Sequence, residues 1–485
     1  MFAVFLASTA LSASPACVTV FDEVDAKIES NYVARALYAE NAPALAAAAE
    51  ANRSVYRAQA SGIASDDVLE CTRVLQGYVR SHEDPHLFLN ATPALTEADI
   101  ARRRAGAARI ALPPQLLRQQ ARSATGRGPL VGVWAADDFE AAIIPEADGG
   151  FVAVVVDTDS DDWTVGDIAA RFENRNGVAE AIRYRAEDRA PIRTGYSIAS
   201  NAILSMAPVD WGRIAPAPGE VIGEWDPRNP RRPRFEMLNA DVAWLSIPSF
   251  SPALVGDSLQ MIADNHRDDI LGAELLVVDL RGNHGGSASA IAPLDPFIMT
   301  HDAREDYQPD PYSPVLLSSP DTIRYYAGIV DRMQPGLEQS VFADLVQRLE
   351  SNPGSLVPML TEPAHIAFYN DARVPDDLFD QPTRVAILVD ADVMSAGEAV
   401  LLRAGRSTRV TSFGAPTRGS IDYQNVLMTP VGAGDLRFSL GYPLIADNPH
   451  LPVGGFNQNG VPVDVPLQGD PESWPQQILD HYNLR

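Results

Sequence analysis

The stretch Val385–Asp422, VAILVDADVMSAGEAVLLRAGRSTRVTSFGAPTRGSID, decides the fold. Val385 to Val389 is a short, β-branched apolar run, which reads as a buried strand. Asp390, Ala391 and Asp392 break it. Ser395 then opens an amphipathic helix, Ala396 to Ala404, and Gly405 closes it. A second strand, Val410 to Phe413, leads into the glycine-rich loop Gly414 to Gly419. A serine on a strand-to-helix turn can sit at the carboxyl edge of a sheet, its hydroxyl beside unpaired helix N–H groups. That is a good position for a nucleophile. The same residues also have a purely structural reading. Ser395 followed three residues later by Glu398 is a capping box.

Glu274–Ser287, ELLVVDLRGNHGGS, repeats the pattern. The strand Leu275 to Leu280 runs into a turn made of Arg281, Gly282, Asn283, His284, Gly285 and Gly286. Consecutive glycines let backbone N–H groups converge into an anion-binding nest. Acyl transfer needs such a nest beside a serine, because the tetrahedral intermediate carries a negative oxygen. Taken alone, GNHGG reads first as a flexible turn between strand and helix.

The two motifs together resemble a known family. DLRGN-x-GG, then S-A-x-E much further on, then a G-x-P-T-x-G-S loop, is similar to the tail-specific, or C-terminal processing, serine peptidases of S41 type and their tricorn-core relatives. The resemblance is clear over the last half of the chain and faint over the first. It implies an α/β fold with a crotonase-like (ClpP/crotonase) core and Ser395 as nucleophile. It also implies an oxyanion hole from the Ala396 N–H and a glycine of the Gly285–Gly286 pair.

The processing peptidases draw their general base from a lysine in the loop after the serine. Here that loop reads Thr417, Arg418, Gly419, Ser420, Ile421, Asp422, and arginine does not give up its proton. The one lysine of the chain is Lys27, in an N-terminal helical stretch. The tricorn-core branch uses histidine instead. Of the eight histidines, His86 is favoured, because Arg80-SHEDPHLFL-Asn90 resembles the segment that supplies the base in those relatives. Asp84 and His82 lie close by, although S-H-E-D-P also reads as a surface turn. His284, inside the glycine bend, is the runner-up. A triad needs a third group to orient the imidazole. The relatives place a glutamate three residues before a Gly-Val pair. The matching position here is Asn457, and Asp84 is the other candidate orienter.

At 485 residues with a formal charge of −26, the chain is expected to hold about three domains. Its acidic surface is expected to repel nucleic acid. Residues 1–16, MFAVFLASTALSASPA, read as a signal peptide, too short for a permanent membrane span. Export to the periplasm or medium is therefore expected. The lipoprotein reading of Cys17 rests on a poor lipobox. Cys17 and Cys71 are the only cysteines. They could form a disulfide in an oxidising compartment or stay as two buried thiols.

A helical N-terminal domain is expected over 17–125, from apolar residues recurring at three and four such as Val20, Val24 and Ile28. A small β-rich domain is expected over 126–235. Its Asp157–Asp162 turn lacks the glycine and distal glutamate of a calcium loop. The Pro- and Arg-rich run Trp225–Pro233 reads as a linker. The catalytic domain would occupy 236–485. Its helical insertion, 302–382, could act as a lid or dimer contact, or pack as a plain helical pair. The Pro- and Gly-rich stretch Pro443–Val465 is expected along the cleft edge. No metal or other cofactor is implied. The partner is a peptide or protein substrate, and a homo-oligomer would be compatible. The expected activity is that of a serine endopeptidase working through an acyl-enzyme. The alternative is a non-catalytic binding protein on the same fold, for a hydrophobic ligand or peptide. Acyl-CoA chemistry on a crotonase-like core is disfavoured by Ser395 and by the lack of an evident nucleotide pocket.

Overall fold

The computed structural model describes residues 16–484 apart from 93–96, 125, 127, 148, 176–177, 200, 207–208, 219–222, 309–310, 364, 367–376 and 458. The expected signal peptide, but for Ala16, lies outside the described residues. No described helix is long and apolar enough to cross a membrane.

A six-stranded sheet carries the two motifs. Its order is Arg234–Asn239, Val242–Ser246, Leu275–Asp279, Arg384–Val389, Val410–Gly414 and Val465–Pro466. The first pair is antiparallel and all later pairs are parallel. Parallel strands covered on both faces need continuous apolar runs. Every residue of Leu275–Asp279 and all but the first of Arg384–Val389 are accordingly buried. On one face Leu276, Val278, Ile387 and Val389 pack against Val400 and Leu401 of the helix Ala396–Ala404. On the other, Val277 and Leu388 meet Trp474 and Ile478 of the C-terminal helix Trp474–Tyr482. The carboxyl ends of the two central strands therefore open side by side, each into its own turn.

The N-terminal helices Cys17–Asn31, Val33–Asn41, Pro43–Ser61 and Val68–Arg80 form one core with later parts of the chain. Val20, Val24 and Ile28 are buried there, as the spacing predicts. They pack with a long hairpin, Tyr423–Ala433 and Leu436–Ala446, and with the helices Pro320–Val330 and Leu337–Ser351. The stretch 302–382 thus holds two helices as read, together with two short strands, Val315–Leu317 and Leu356–Pro358. The hairpin turns at Gly434 and Asp435. Just before the turn Gly432, with φ +76° and the Leu436 carbonyl against it, leaves no room for a Cβ. Pro443 lies inside its second strand rather than in an edge segment. Proline is tolerated there where its missing N–H is not needed. Phe88–Ala91 pairs antiparallel with Leu436–Ala446 in the same sheet. Cys17 and Cys71 are disulfide-bonded and tie the first helix to the fourth.

Between these two bodies in sequence lies a nine-stranded antiparallel sheet. It runs in the order Pro191–Gly195, Val178–Tyr184, Ile168–Arg175, Phe151–Thr158, Phe139–Pro145, Gly132–Ala135, Val209–Ala215, Ile203–Met206 and Ser197–Ala199. One face closes over Trp134, Phe139, Trp163 and Phe172. The helix Pro114–Ser123 covers the other through Leu117 and Ala121.

Candidate active site

Ser395 occupies the N-cap of the helix Ala396–Ala404 with φ 55° and ψ −121°. That region is costly for a residue with a Cβ, of order 1–3 kcal/mol, and persists only where the surroundings enforce it. The enforcement is visible. The Ser395 N–H is shared between Glu398 Oε2 at 3.0 Å and Ser420 Oγ at 2.7 Å. The preceding N–H, of Met394, donates to the Asn283 carbonyl at 3.0 Å. This last bond joins the two turns that the sequence singles out.

The glycine bend lies directly against the serine. Gly282, Gly285 and Gly286 all have positive φ. A Cβ on Gly285 would come within 2.7 Å of Ser395 Cβ and 3.0 Å of the Ala396 nitrogen, so only glycine permits this approach. The Gly282 N–H donates to Asp390 Oδ1 at 3.0 Å. Burial pushes the Asp390 carboxyl up to about 6. The Asn283 side chain holds the bend from inside, donating to the Ile247 carbonyl at 2.8 Å and accepting from the Gly285 N–H at 2.7 Å. The Gly285 N–H is therefore engaged within the bend. That leaves Gly286, which is exposed, as the glycine whose N–H can meet a ligand.

Glu398 does more than cap a helix. It is fully buried. Its Oε1 accepts from Thr417 Oγ1 at 2.6 Å and the Gly419 N–H at 2.7 Å. Its Oε2 accepts from the Ser420 N–H at 2.9 Å and Ser420 Oγ at 2.7 Å, besides the Ser395 N–H. One carboxylate thus fastens the serine turn to the loop Thr417–Ser420. In the sequence Glu398 reads as a cap and as the end of the S-A-x-E motif, not as the anchor of a distant loop. The signal for its larger role was the loop TRGS, rich in donors and twenty-odd residues downstream.

His86 is buried, in a turn between the helix Val68–Arg80 and the strand Phe88–Ala91. Pairing of that strand with the hairpin brings the ring to Tyr423, 337 positions later, where Nδ1 bonds the backbone carbonyl at 2.5 Å. A carbonyl only accepts, so Nδ1 carries the proton and Nε2 is the basic nitrogen. Tyr423 follows Ser420, the partner of the Ser395 N–H, by three residues. No hydrogen bond joins the His86 ring and the Ser395 hydroxyl among the described residues. The candidate orienters take other roles. Asp84 accepts the His86 main-chain N–H at 2.9 Å and the Tyr32 hydroxyl at 2.8 Å. Burial raises its carboxyl above the usual range. The Asn457 N–H donates to Asp422 Oδ2 at 2.8 Å, and its Oδ1 accepts from the Asp422 N–H at 3.3 Å. The group bonded to the His86 ring is instead the carbonyl of Tyr423, the first residue of the hairpin.

The other histidines are placed differently. His284 Nδ1 lies 3.3 Å from Arg231 Nη2, and its Nε2 is buried without a partner. Burial, helped by Arg231, pushes its pKa down to about 4. His82 is likewise pushed down to about 4 by burial. Lys27 pairs with Asp321 at 2.8 Å, in the N-terminal core. Arg418 is half exposed and lies 3.9 Å from Asp392. No group of three or more metal-ligating side chains gathers among the described residues.

The family model described as Peptidase family S41 matches residues 241–439. That span includes both motif turns, Glu398 and the loop Thr417–Ser420. No curated protein matches the sequence. Among solved structures, the crystal structure of mature CPAF is similar over 97% of this chain and 96% of its own, at 11% identity and a TM-score of 0.52. Mature CPAF complexed with lactacystin is similar over 97% of both chains, at 12% identity and a TM-score of 0.51. At such identities the likeness shows a shared mixed α/β fold. The match to the S41 peptidase family lies over residues 241–439, with the serine and glycine turns inside it, and supports a serine-type peptidase.

Proposed function

We propose that this chain is an exported serine endopeptidase in which Ser395 is the nucleophile and His86 the base. The carrying observation is the seating of Gly285 against Ser395 and the Ala396 nitrogen. In the proposed reaction Ser395 Oγ attacks a peptide carbonyl carbon, and its proton passes to His86 Nε2 directly or through one water. The carbonyl oxygen becomes an oxyanion and accepts from the N–H groups of Ala396 and Gly286. The C–N bond then breaks, and His86 returns the proton to the leaving amine. Water hydrolyses the resulting ester by the same route. The base reading is supported by the Nδ1 bond to Tyr423, which leaves Nε2 able to accept. A direct serine–histidine bond is often formed only in the substrate complex.

The parallel run of strands ending in the two turns supports a crotonase-like core. Export is supported by the apolar run 1–16 and by the Cys17–Cys71 bond, which also excludes lipidation of Cys17 while it lasts. The net charge of −26 supports peptide rather than nucleic acid as partner.

A fluorophosphonate probe tests the reading. Labelling is expected in the wild type and in Ser258→Ala, and is expected to be absent in Ser395→Ala. His86→Ala should slow labelling by about 10²- to 10⁴-fold, and His284→Ala by far less. A wild type that is never labelled would instead favour the non-catalytic binding protein. Equal labelling of His86→Ala and wild type would remove His86 from the mechanism.

A further inference from the structure

Arg231 lies in the segment between the nine-stranded sheet and the six-stranded one, and its side chain is 5% exposed. Every N–H of its guanidinium is directed at an acceptor. Nε donates to Asp210 Oδ2 at 2.8 Å and Nη2 to Asp210 Oδ1 at 3.0 Å, a two-pronged pair. Nη2 also donates to Ser205 Oγ at 2.7 Å and lies 3.3 Å from His284 Nδ1. Nη1 donates to the carbonyls of Pro248, at 2.7 Å, and Gly282, at 2.5 Å. Asp210 and Ser205 belong to the nine-stranded sheet. Gly282 and His284 belong to the bend beside Ser395. Arg231 therefore spans from one body to the other and holds two residues of the bend at once.

A second contact has the same sense. A Cβ on Gly282 would come within 2.7 Å of Ala199 Cβ, at the end of a strand of the nine-stranded sheet. The bend is thus pressed between the Ser395 turn on one side and the nine-stranded sheet on the other. Gly282 is gripped from both ends, its N–H by Asp390 and its carbonyl by Arg231. The start of the bend is fixed in this way, while its far end is held by the Phe250 N–H, which donates to the Gly285 carbonyl at 2.9 Å. Bracing the sheets together would need only the Asp210, Ser205 and Pro248 bonds. The bonds to Gly282 and His284 are beyond that need. Arg231 and Asp210 also line a cavity of about 670 Å³, with Phe139, Trp163 and Trp211. The same side chain thus joins the cavity wall to the bend.

We propose that Arg231 is a positioning residue for the peptidase reaction: it holds the Gly282–Gly286 bend so that its N–H donor points at the developing oxyanion, and Asp210 holds Arg231. The nine-stranded sheet is then part of the catalytic apparatus and not an appendage. The proposal rests on the reading of that bend as the oxyanion pocket.

The test uses the full chain and a fluorophosphonate, whose phosphoryl oxygen occupies the oxyanion pocket as the serine attacks. Saturation kinetics give the limiting labelling rate, kinact, separately from the half-saturating concentration, KI. In Arg231→Met, kinact is expected to fall about 10²-fold, as for loss of one oxyanion donor, with KI changed less than about threefold. Asp210→Asn should fall in the same direction by about tenfold, and Arg231→Lys should recover part of the loss. Should Arg231→Met fail to fold, Ser205→Ala and Asp210→Asn each remove only part of the grip and carry the test. Folded variants that keep the wild-type kinact, or lose affinity alone, overturn the proposal and leave the Ser395 reading intact. A wild type that is never labelled at Ser395 overturns both.

Discussion

At the scale of single residues, Glu398 shows how one side chain can replace several weak local preferences. Its carboxylate collects donors from the serine turn and from the loop Thr417–Ser420. That anchor holds Ser395 at a positive φ together with Ser420 Oγ and the Met394–Asn283 bond. A glutamine of the same shape would turn an NH2 group toward converging N–H and O–H donors. Glu398→Gln is therefore expected to cost about 3 kcal/mol in urea unfolding. It is also expected to abolish fluorophosphonate labelling of the folded fraction. A variant within about 0.5 kcal/mol of wild type, labelled at the normal rate, would sink this account. The local pattern S-x-x-E shows that the pair meets, because i and i+3 are neighbours at a helix start. It does not show the remaining four bonds, since the spacing of residues along one helix says nothing about a loop arriving from outside it.

At the scale of elements, the strand Phe88–Ala91 and the hairpin Tyr423–Ala446 decide which histidine meets the serine loop. The first strand is only four residues long. It follows the helix Val68–Arg80, which the Cys17–Cys71 bond anchors to the first helix. The disulfide closes a loop with a sequence separation of 54, so chain-entropy bookkeeping assigns it about 4 kcal/mol. The pair Cys17→Ser and Cys71→Ser is expected to lower the first calorimetric unfolding transition of the oxidised protein. Adding dithiothreitol should lower the wild type to match. No shift in either would mean that the helical core holds without the cross-link. The run Trp225–Pro233 illustrates the opposite limit. Its proline and arginine content is that of a linker, yet Arg231 within it is among the most fully bonded side chains of the chain. Composition reports what a segment can tolerate in water, while burial depends on what is packed above it.

At the scale of the whole molecule, pH acts through histidines that folding keeps neutral. His82 and His284 both have their pKa pushed down to about 4, mainly by burial. A histidine whose folded pKa lies below its unfolded value of about 6.5 contributes stability above pH 6.5. That contribution is lost as pH falls toward 4, because the unfolded chain binds the proton first. Each contributes a slope of up to about 1.4 kcal/mol per pH unit in that window. The raised Asp390, with a pKa of about 6, works in the opposite sense over much of the same range. The expected result is therefore read as a difference. Between pH 6.5 and 4.5, wild type should lose more unfolding free energy than His82→Leu, by about 1 kcal/mol per pH unit. Parallel pH curves for the two would refute it. By itself the sequence determined the strand–turn–helix unit at Ser395 and the strand and glycine bend of 275–286, because those depend on hydrophobic period, caps and turns within about fifteen residues. The resemblance pointed to His86 as well, but tertiary structure alone decided what His86, Glu398 and Arg231 bond to. Those groups arrive on separate strands and loops, and only the pairing of distant backbones and the burial of their polar ends bring them to one place.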